Sequence, residues 1–229
     1  MLEARLSKSK FGVMVMKLYN LGLSNFAGKC RVAIYEKGLD VELADPPGGP
    51  GSDAYKKINP TGKIPALETD DGQVILESEV INEYLEDKFP ATALLPSDAE
   101  GRAAVRAITR YHDLYIDPPM RAVFPKLCGQ DLEAAFIAKQ IAEVNDNLDQ
   151  LESSISDGPW AAGDNFTLAD AALAPTLFLM DNLLPNFGSK KPFEGRPKLG
   201  AWWQRIQDRP STKKVLGEQG AAMAALMKK

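Results

Sequence analysis

The 229-residue chain is poor in the residues that build metal centres and disulfide frameworks. It has two cysteines, Cys30 and Cys128, and a single histidine, His112. The two cysteines lie far apart and form no C-x-x-C pair, so neither a disulfide scaffold nor a metal site is expected. A reducing compartment such as the cytoplasm fits this composition best.

Long apolar runs and an excess of basic charge are also missing. No stretch of about 18 apolar residues occurs, which argues against a membrane-spanning helix. Lysine and arginine number 27 against 31 acidic residues, a net charge of −4, whereas proteins that bind nucleic acid usually present a basic face. We therefore expect neither a membrane nor a nucleic acid as partner.

The beginning of the chain, residues 1–15, is mixed basic and polar and lacks the continuous apolar stretch of a secretion signal. We interpret it as an extension, disordered or otherwise outside the folded domains. Residues 16–90 alternate between strand and helix patterns. They predict strands at 17–19, 41–43, 64–68 and 73–76, and helices at 28–37, 54–58 and 78–88. Gly72 provides the positive φ of a hairpin turn between the last two strands.

The character of the chain changes after a proline-containing linker at residues 91–98. Apolar positions then recur every three or four residues. They predict helices at 99–114, 132–156, 168–184, 199–208 and 212–227, with a break near Pro118-Pro119. An α/β domain at 16–90 followed by an all-α helical bundle domain at 99–229 is the predicted fold class.

Four local patterns occur in a fixed order along these two domains. They are Leu18-Tyr19 with Ser24 and Lys29-Cys30-Arg31-Val32-Ala33-Ile34; residues 58–67; Leu76-Glu77-Ser78 with Tyr84-Leu85; and Phe166-Thr167-Leu168-Ala169-Asp170. Together they resemble the glutathione S-transferase family across residues 16 to about 210. The resemblance implies a thioredoxin-like first domain that binds glutathione as co-substrate, a second domain that holds an electrophile, and a two-fold homodimer.

The first pattern places Ser24 between the first strand and the first helix. A serine there is suited to cap the helix, and its hydroxyl can also donate a hydrogen bond. The resemblance implies that Ser24 stabilises the glutathione thiolate. Asn25 is a candidate for orienting the sulfur, although a plain turn residue fits equally well. A cysteine at this position would imply a reductase instead. Cys30 lies inside the helix and is interpreted as a small core residue.

The second and third patterns imply the glutathione contacts. The resemblance predicts a cis bond between Ile64 and Pro65, with the Ile64 main chain pairing with the cysteinyl unit like an added strand. It assigns the γ-glutamyl carboxylate to Ser78 at a helix N-terminus and the ammonium group to Glu77. By its position Ser78 is expected to cap that helix. Lys63 is a candidate for the glycyl carboxylate, although a solvated lysine fits equally well.

Two further sets of residues belong to the helical domain or face it. Thr167 and Asp170 are predicted to form a capping box with a structural role. Candidates for the second-substrate pocket are Phe26, Tyr111, Tyr115 and Arg121. His112 is interpreted as a surface residue.

Several reaction types remain open at this stage. Residues 55–60 and 83–87 resemble bacterial lignin β-etherases of the same superfamily, so a β-etherase, lyase or dehalogenase is an alternative to simple conjugation. Zeta-type isomerases are less favoured because Ser24 is followed by Asn25 and Phe26 rather than by the serine and cysteine of their motif. A non-catalytic binding module with the same fold is the alternative from another class.

Overall fold

The computed structural model describes residues 16–226, and the predicted extension at 1–15 lies outside the described residues. The described chain forms two compact units. The first comprises residues 16–94 and 214–226, and the second comprises residues 95–213. The predicted helical domain ran from 99 to 229, and the difference arises because residues 214–226 pack within the first unit.

A four-stranded sheet organises the first unit, with the strand order β2-β1-β3-β4. In chain order its elements are β1 (Lys17–Tyr19), α1 (Asn25–Glu36), β2 (Glu42–Ala44), α2 (Asp53–Lys56), β3 (Ala66–Glu68), β4 (Val74–Leu76) and α3 (Ser78–Lys88). Strand β1 is parallel to β2 and antiparallel to β3, and β4 is antiparallel to β3. Gly72 has a φ of 86° in the turn between β3 and β4, as predicted.

Helices α1 and α3 pack against the sheet over a shared apolar core. The buried members are Met16, Leu18, Cys30, Ile34, Leu67, Ile81 and Leu85. Cys30 is fully buried and is therefore the core residue predicted. Helix α1 begins three residues earlier than predicted, because the Ser24 side chain accepts a hydrogen bond from the main-chain N–H of Ala27 and caps the helix there.

The second unit is helical. Its helices are α4 (Ala99–Tyr111), α5 (Asp117–Leu127), α6 (Ala134–Ser154), α7 (Leu168–Leu183) and α8 (Pro197–Ile206), and α9 (Pro210–Leu226) supplies residues 214–226 of the first unit. Helix α5 was not predicted. Pro118 and Pro119 lie in its first turn, where a missing N–H costs nothing, and a π-helical turn at His112–Ile116 joins it to α4.

The buried carboxyl group of Asp170 connects three segments of the second unit. Its Oδ1 accepts hydrogen bonds from the Ala161 N–H at 2.8 Å and from the Trp202 ring N–H at 2.7 Å. Its Oδ2 accepts from the main-chain N–H of Thr167 at 2.8 Å. The capping box predicted for Thr167 and Asp170 is therefore confirmed. Burial raises the pKa of Asp170, and these donors oppose that rise.

We expect Asp170→Ala to lower the free energy of unfolding by about 3–5 kcal/mol, because it leaves several buried donors without an acceptor. Chemical denaturation of the purified protein measures this loss. Asp146→Ala is the matched control, since Asp146 is exposed on helix α6. A similar loss of unfolding free energy in both variants would show that the buried hydrogen bonds of Asp170 add no more stability than an exposed aspartate does.

Candidate functional site

Strand register brings the predicted glutathione-binding segments to one end of the sheet. Tyr19 at the end of β1 pairs with Ala66 at the start of β3, and Ala66 pairs with Leu76 at the end of β4. Because these three residues form one row across the sheet, the chain after β1, the chain before β3 and the chain after β4 all leave from the same edge. These segments carry Ser24, Ile64-Pro65 and Glu77-Ser78.

Ser24 is the half-buried residue that caps α1. Its Oγ accepts from the Ala27 N–H at a distance of 3.2 Å. A hydroxyl group has one proton to donate, and accepting this bond does not use it. The cap therefore fixes the oxygen at the helix N-terminus and leaves its O–H able to donate to a negatively charged atom.

The two residues after Ser24 form the first turn of α1. Asn25 is half-buried and is the first residue of the helix. Phe26 is also half-buried, and the ammonium group of Lys29 lies 5.4 Å from the centre of its ring. Tyr19 at the end of β1 also carries a hydroxyl group. That hydroxyl donates to Glu68 Oε2 at 2.7 Å, so its proton is already used within the protein.

The peptide bond between Ile64 and Pro65 is cis, as predicted. Neither the N–H nor the C=O of Ile64 takes part in a hydrogen bond within the described chain. The carbonyl group of the preceding residue, Lys63, is held firmly. It accepts from the Tyr55 hydroxyl at 3.0 Å and from Asn59 Nδ2 at 2.6 Å. Burial raises the pKa of Tyr55, which keeps its hydroxyl protonated as a donor.

Tyr55 and Asn59 were not predicted to support the site. Tyr55 lies in residues 55–60 and Asn59 also in residues 58–67, but their contacts to Lys63 depend on how the chain folds back on itself. An aromatic residue within a polar segment was the available signal, because a tyrosine hydroxyl requires a partner once it is buried. Tyr55 is fully buried.

Gly62 occupies a position that no other residue type fits. Its φ is 67°, and a Cβ atom placed on it would lie 2.8 Å from the Cα of Gly51. The same two glycines are joined by a hydrogen bond of 2.9 Å from the Gly51 N–H to the Gly62 carbonyl. The positive φ and the close contact with Gly51 together restrict position 62 to glycine. The adjacent Lys63 is exposed, and within residues 16–226 its ammonium group forms no ion pair.

Helix α3 starts without a side-chain cap. Glu77 occupies the N-cap position with a φ of 65°, and its carboxylate makes no capping hydrogen bond. Ser78 is the first residue of the helix, so the prediction that Ser78 caps it was wrong. A non-glycine residue rarely adopts a positive φ, and such residues cluster at functional sites. The N–H groups of the first turn consequently have no side-chain acceptor from the cap position.

Two contacts join the second turn of α1 to the first turn of α3. The Cys30 Sγ donates to the main-chain carbonyl of Ser78 at 3.4 Å. The ammonium group of Lys29 lies 3.0 Å from Glu79 Oε2, and the Lys29 side chain is completely buried. A salt bridge with one buried partner is expensive to break, because the remaining charge is stranded. These contacts hold the two helix N-termini in a fixed relation.

Three of the four residues predicted for the second-substrate pocket lie in the second unit. The rings of Tyr111 and Tyr115 are 5.1 Å apart. The Tyr111 hydroxyl lies 3.0 Å from Gln150 Oε1, and burial raises its pKa, so it acts as a donor to the protein itself. Arg121 pairs with Asp117 and lines an open cavity of about 370 Å³ together with Asp113, Pro118 and Ala122.

The interpretation of His112 as a surface residue was wrong. Its side chain is completely buried in the π-helical turn. Nε2 lies 2.6 Å from Thr176 Oγ1, and Nδ1 lies 2.8 Å from Asp113 Oδ1. The ring therefore joins the π-helical turn to α7, and no spacing in the sequence reveals this pairing.

Comparison with known families decides the assignment of the chain. The family model for the glutathione S-transferase N-terminal domain matches residues 18–93, and that for the glutathione S-transferase C-terminal domain matches residues 103–210. This chain belongs to the glutathione S-transferase family. The predicted family, the thioredoxin-like and helical fold class, and glutathione as co-substrate of a transferase are thereby confirmed.

Similar proteins within the glutathione S-transferase family differ in their reactions. Maleylacetoacetate isomerase of Pseudomonas aeruginosa is 36% identical over 71% of this chain and 80% of its own length. The crystal structure of β-etherase LigF from Sphingobium aligns with a TM-score of 0.77 at 27% identity, covering 90% of this chain and all of LigF. A glutathione S-transferase of Methylobacillus flagellatus, solved with glutathione bound, aligns with a TM-score of 0.75 at 28% identity, covering 87% and 98% of the two chains.

We expect Gly62→Ala to destabilise the protein by more than Gly72→Ala. Both glycines have a positive φ, which costs a residue with a Cβ about 1–2 kcal/mol. Only Gly62 adds a clash with the Gly51 backbone, whereas nothing lies within 4 Å of a Cβ on Gly72. Urea denaturation of the two variants measures the difference. Equal losses would show that the contact between Gly51 and Gly62 is readily relieved.

Proposed function

We propose that Ser24 donates a hydrogen bond to the sulfur of glutathione, holds it as a thiolate, and so prepares it for attack on an electrophilic, largely apolar small molecule. The observation that supports this is the Ser24 cap: the oxygen accepts from the Ala27 N–H and its proton remains available. Asn25, the next residue, helps to orient the sulfur. The thiolate is the reactive form of the nucleophile.

The energies involved are sufficient for this chemistry. A thiol with an ordinary pKa of about 8.5 must be lowered by about two units to be largely ionised at neutral pH, which takes about 2.7 kcal/mol. A hydrogen bond to a charged acceptor contributes about 1.5–3 kcal/mol. The N-terminus of α1 adds about 0.3–1 kcal/mol. The hydroxyl and the helix end together suffice, whereas the helix end alone does not.

The rest of glutathione is placed by the segments at the same sheet edge. The free N–H and C=O groups of Ile64, before Pro65, pair with the cysteinyl unit in the manner of an added strand. The uncapped first turn of α3 receives the γ-glutamyl carboxylate at Ser78. Glu77 is exposed and pairs with the ammonium group, and Lys63 is the candidate for the glycyl carboxylate.

The residues predicted to contact the electrophile are Phe26 in the first unit and Tyr111, Tyr115 and Arg121 in the second. Tyr115 is half exposed, and the centre of its ring lies 5.1 Å from that of the tilted Tyr111 ring, which suits contact with an apolar or aromatic molecule. We further propose a homodimer in the cytoplasm. The exposed Val74 on the edge strand β4 and the exposed Val80 in α3 suit burial against a second copy of the chain. Within residues 16–226, no helix is long and apolar enough to cross a bilayer.

Ether cleavage is the second candidate reaction. It is favoured by the similarity to LigF, which extends over the whole of that chain. The isomerase reaction is favoured by the higher identity to maleylacetoacetate isomerase, but Ser24 is not followed here by the serine and cysteine of the isomerase motif. Both candidates use the same glutathione site and differ in the second substrate.

We expect Ser24→Ala to raise the pKa of the bound glutathione thiol by about one to two units and to lower turnover of an aryl halide by about 10- to 100-fold near neutral pH. Ultraviolet titration of the bound thiol and steady-state kinetics measure the two effects. Ser24→Thr keeps the hydroxyl and should retain most of the activity.

The control for loss of a helix cap is Asp98→Ala. The Asp98 side chain caps α4 by accepting from the Gly101 N–H at 2.7 Å. Both alanine variants should lose about 1 kcal/mol of stability, but only Ser24→Ala should change the thiol pKa. Retention on immobilised glutathione without turnover in the wild type would indicate a binding module instead of an enzyme.

A panel of electrophiles separates the candidate reactions. Turnover of β-aryl ethers at rates above those of aryl halides is the result expected for an etherase, and Ser24→Ala should lower it by about 10- to 100-fold as well. Conversion of a cis-dicarboxylic enone to its trans isomer, without net consumption of glutathione, would instead indicate the isomerase reaction. Release of phenol and formation of the glutathione conjugate are measured together by chromatography.

A further inference from the structure

The loop between β1 and Ser24 is held through its carbonyl groups. The Leu21 carbonyl accepts from the Ser24 N–H at 3.0 Å. The next carbonyl, of Gly22, accepts from Arg31 Nη2 at 2.8 Å. The Leu23 carbonyl accepts a long hydrogen bond of 3.5 Å from Gln219 Nε2. Three consecutive acceptors immediately before Ser24 therefore have assigned donors, and one donor belongs to helix α9.

Arg31 itself depends on helix α9. Its Nη1 lies 2.5 Å from Glu218 Oε2, and its side chain is 1% exposed. The other oxygen of Glu218 accepts from the Tyr35 hydroxyl at 2.8 Å. Burial, and next the hydrogen bond to Glu218, raise the pKa of Tyr35, so that this hydroxyl remains a donor. One carboxylate on α9 thus fixes two side chains of α1.

Close packing adds a third connection between the loop and α9. A Cβ atom placed on Gly22 would lie 3.1 Å from the Cβ of Ala222, closer than ordinary van der Waals contact. Gly22 does not require glycine for its φ, since it is not among the residues with positive φ. Close approach of the helix is therefore the structural reason for glycine at this position.

We infer that residues 218–222 of α9 are positioning residues for Ser24. They fix the position of the loop at residues 21–23, and thereby the position of the Ser24 hydroxyl group relative to the glutathione sulfur. This inference rests on the function proposed for Ser24. All of the contacts that carry it lie within the first unit.

The functional consequence follows from the geometry of hydrogen bonds. The strength of the Ser24 contact to a thiolate falls steeply with misalignment. A displacement of a few tenths of an ångström along the loop changes the thiol pKa without removing any catalytic group. A residue that only stabilised the fold would change the free energy of unfolding and leave the thiol pKa as it was.

The experiment introduces and then removes a single close contact. Gly22→Ala pushes the loop away from α9, and Gly22→Ala combined with Ala222→Gly restores the space. We expect Gly22→Ala to raise the pKa of the bound glutathione thiol by about half a unit to one unit, and to lower kcat about three- to tenfold at a pH below that pKa. The double variant should recover both values, while KM for glutathione changes little throughout.

The control variant is Ala221→Gly, which weakens the same helix at an exposed position without touching Gly22. It should lose stability and keep the wild-type thiol pKa. If Gly22→Ala leaves the thiol pKa unchanged, or if the double variant fails to restore it, helix α9 does not position Ser24.

Glu218→Gln tests the same inference from the side of the helix. It keeps an acceptor for Arg31 but removes the negative charge that holds the guanidinium group in place, so it should shift the thiol pKa away from the wild-type value. Ser24→Ala distinguishes a failure of the proposed function from a failure of the inference about helix α9. An unchanged thiol pKa in Ser24→Ala overturns the proposed function together with this inference. A changed value there, with unchanged values in Gly22→Ala and Glu218→Gln, overturns the inference alone.

Discussion

The hydrogen bond from the Ala27 N–H to the Ser24 hydroxyl is the contact on which the rest of the site depends. It decides where α1 begins, and it leaves the proton of the hydroxyl available for donation to another group. A structural contact and a catalytic preparation are therefore one interaction. In the proposed function, the other segments at this end of the sheet arrange glutathione around that oxygen.

The two helices that meet at the site begin in opposite ways. Helix α1 is capped by its own serine, whereas α3 begins after Glu77 in a conformation that L-amino acids avoid and has no side-chain cap. In the proposed function, the first helix offers a donor, and the second offers the N–H groups of its first turn to an anion. The contacts of Lys29 with Glu79 and of Cys30 with Ser78 keep these two complementary ends together.

Local patterns were enough to predict much of this architecture. The strand and helix order, the turn at Gly72 and the capping box of Asp170 all depend on neighbouring residues. The early start of α1, by contrast, depends on a cap that apolar periodicity does not reveal. Helix α5 was missed because prolines normally interrupt helices, although they are tolerated in a first turn.

Contacts between distant parts of the chain could not be predicted at all. The clash that reserves position 62 for glycine comes from Gly51, across a loop whose shape no motif specifies. The buried His112 finds its partner Thr176 on another helix. Arg31 and Glu218 are separated by 187 residues. Each pairing becomes visible only when the fold has brought the two segments together.

The separation of Arg31 from Glu218 also affects the order in which the protein can be completed. During synthesis an N-terminal domain can begin folding while later residues are still being added. Here the sheet and α1 leave the ribosome long before α9. The guanidinium group of Arg31 therefore lacks its partner, the Glu218 carboxylate, until α9 has been synthesised. The first unit reaches its final form only when the second has already been translated.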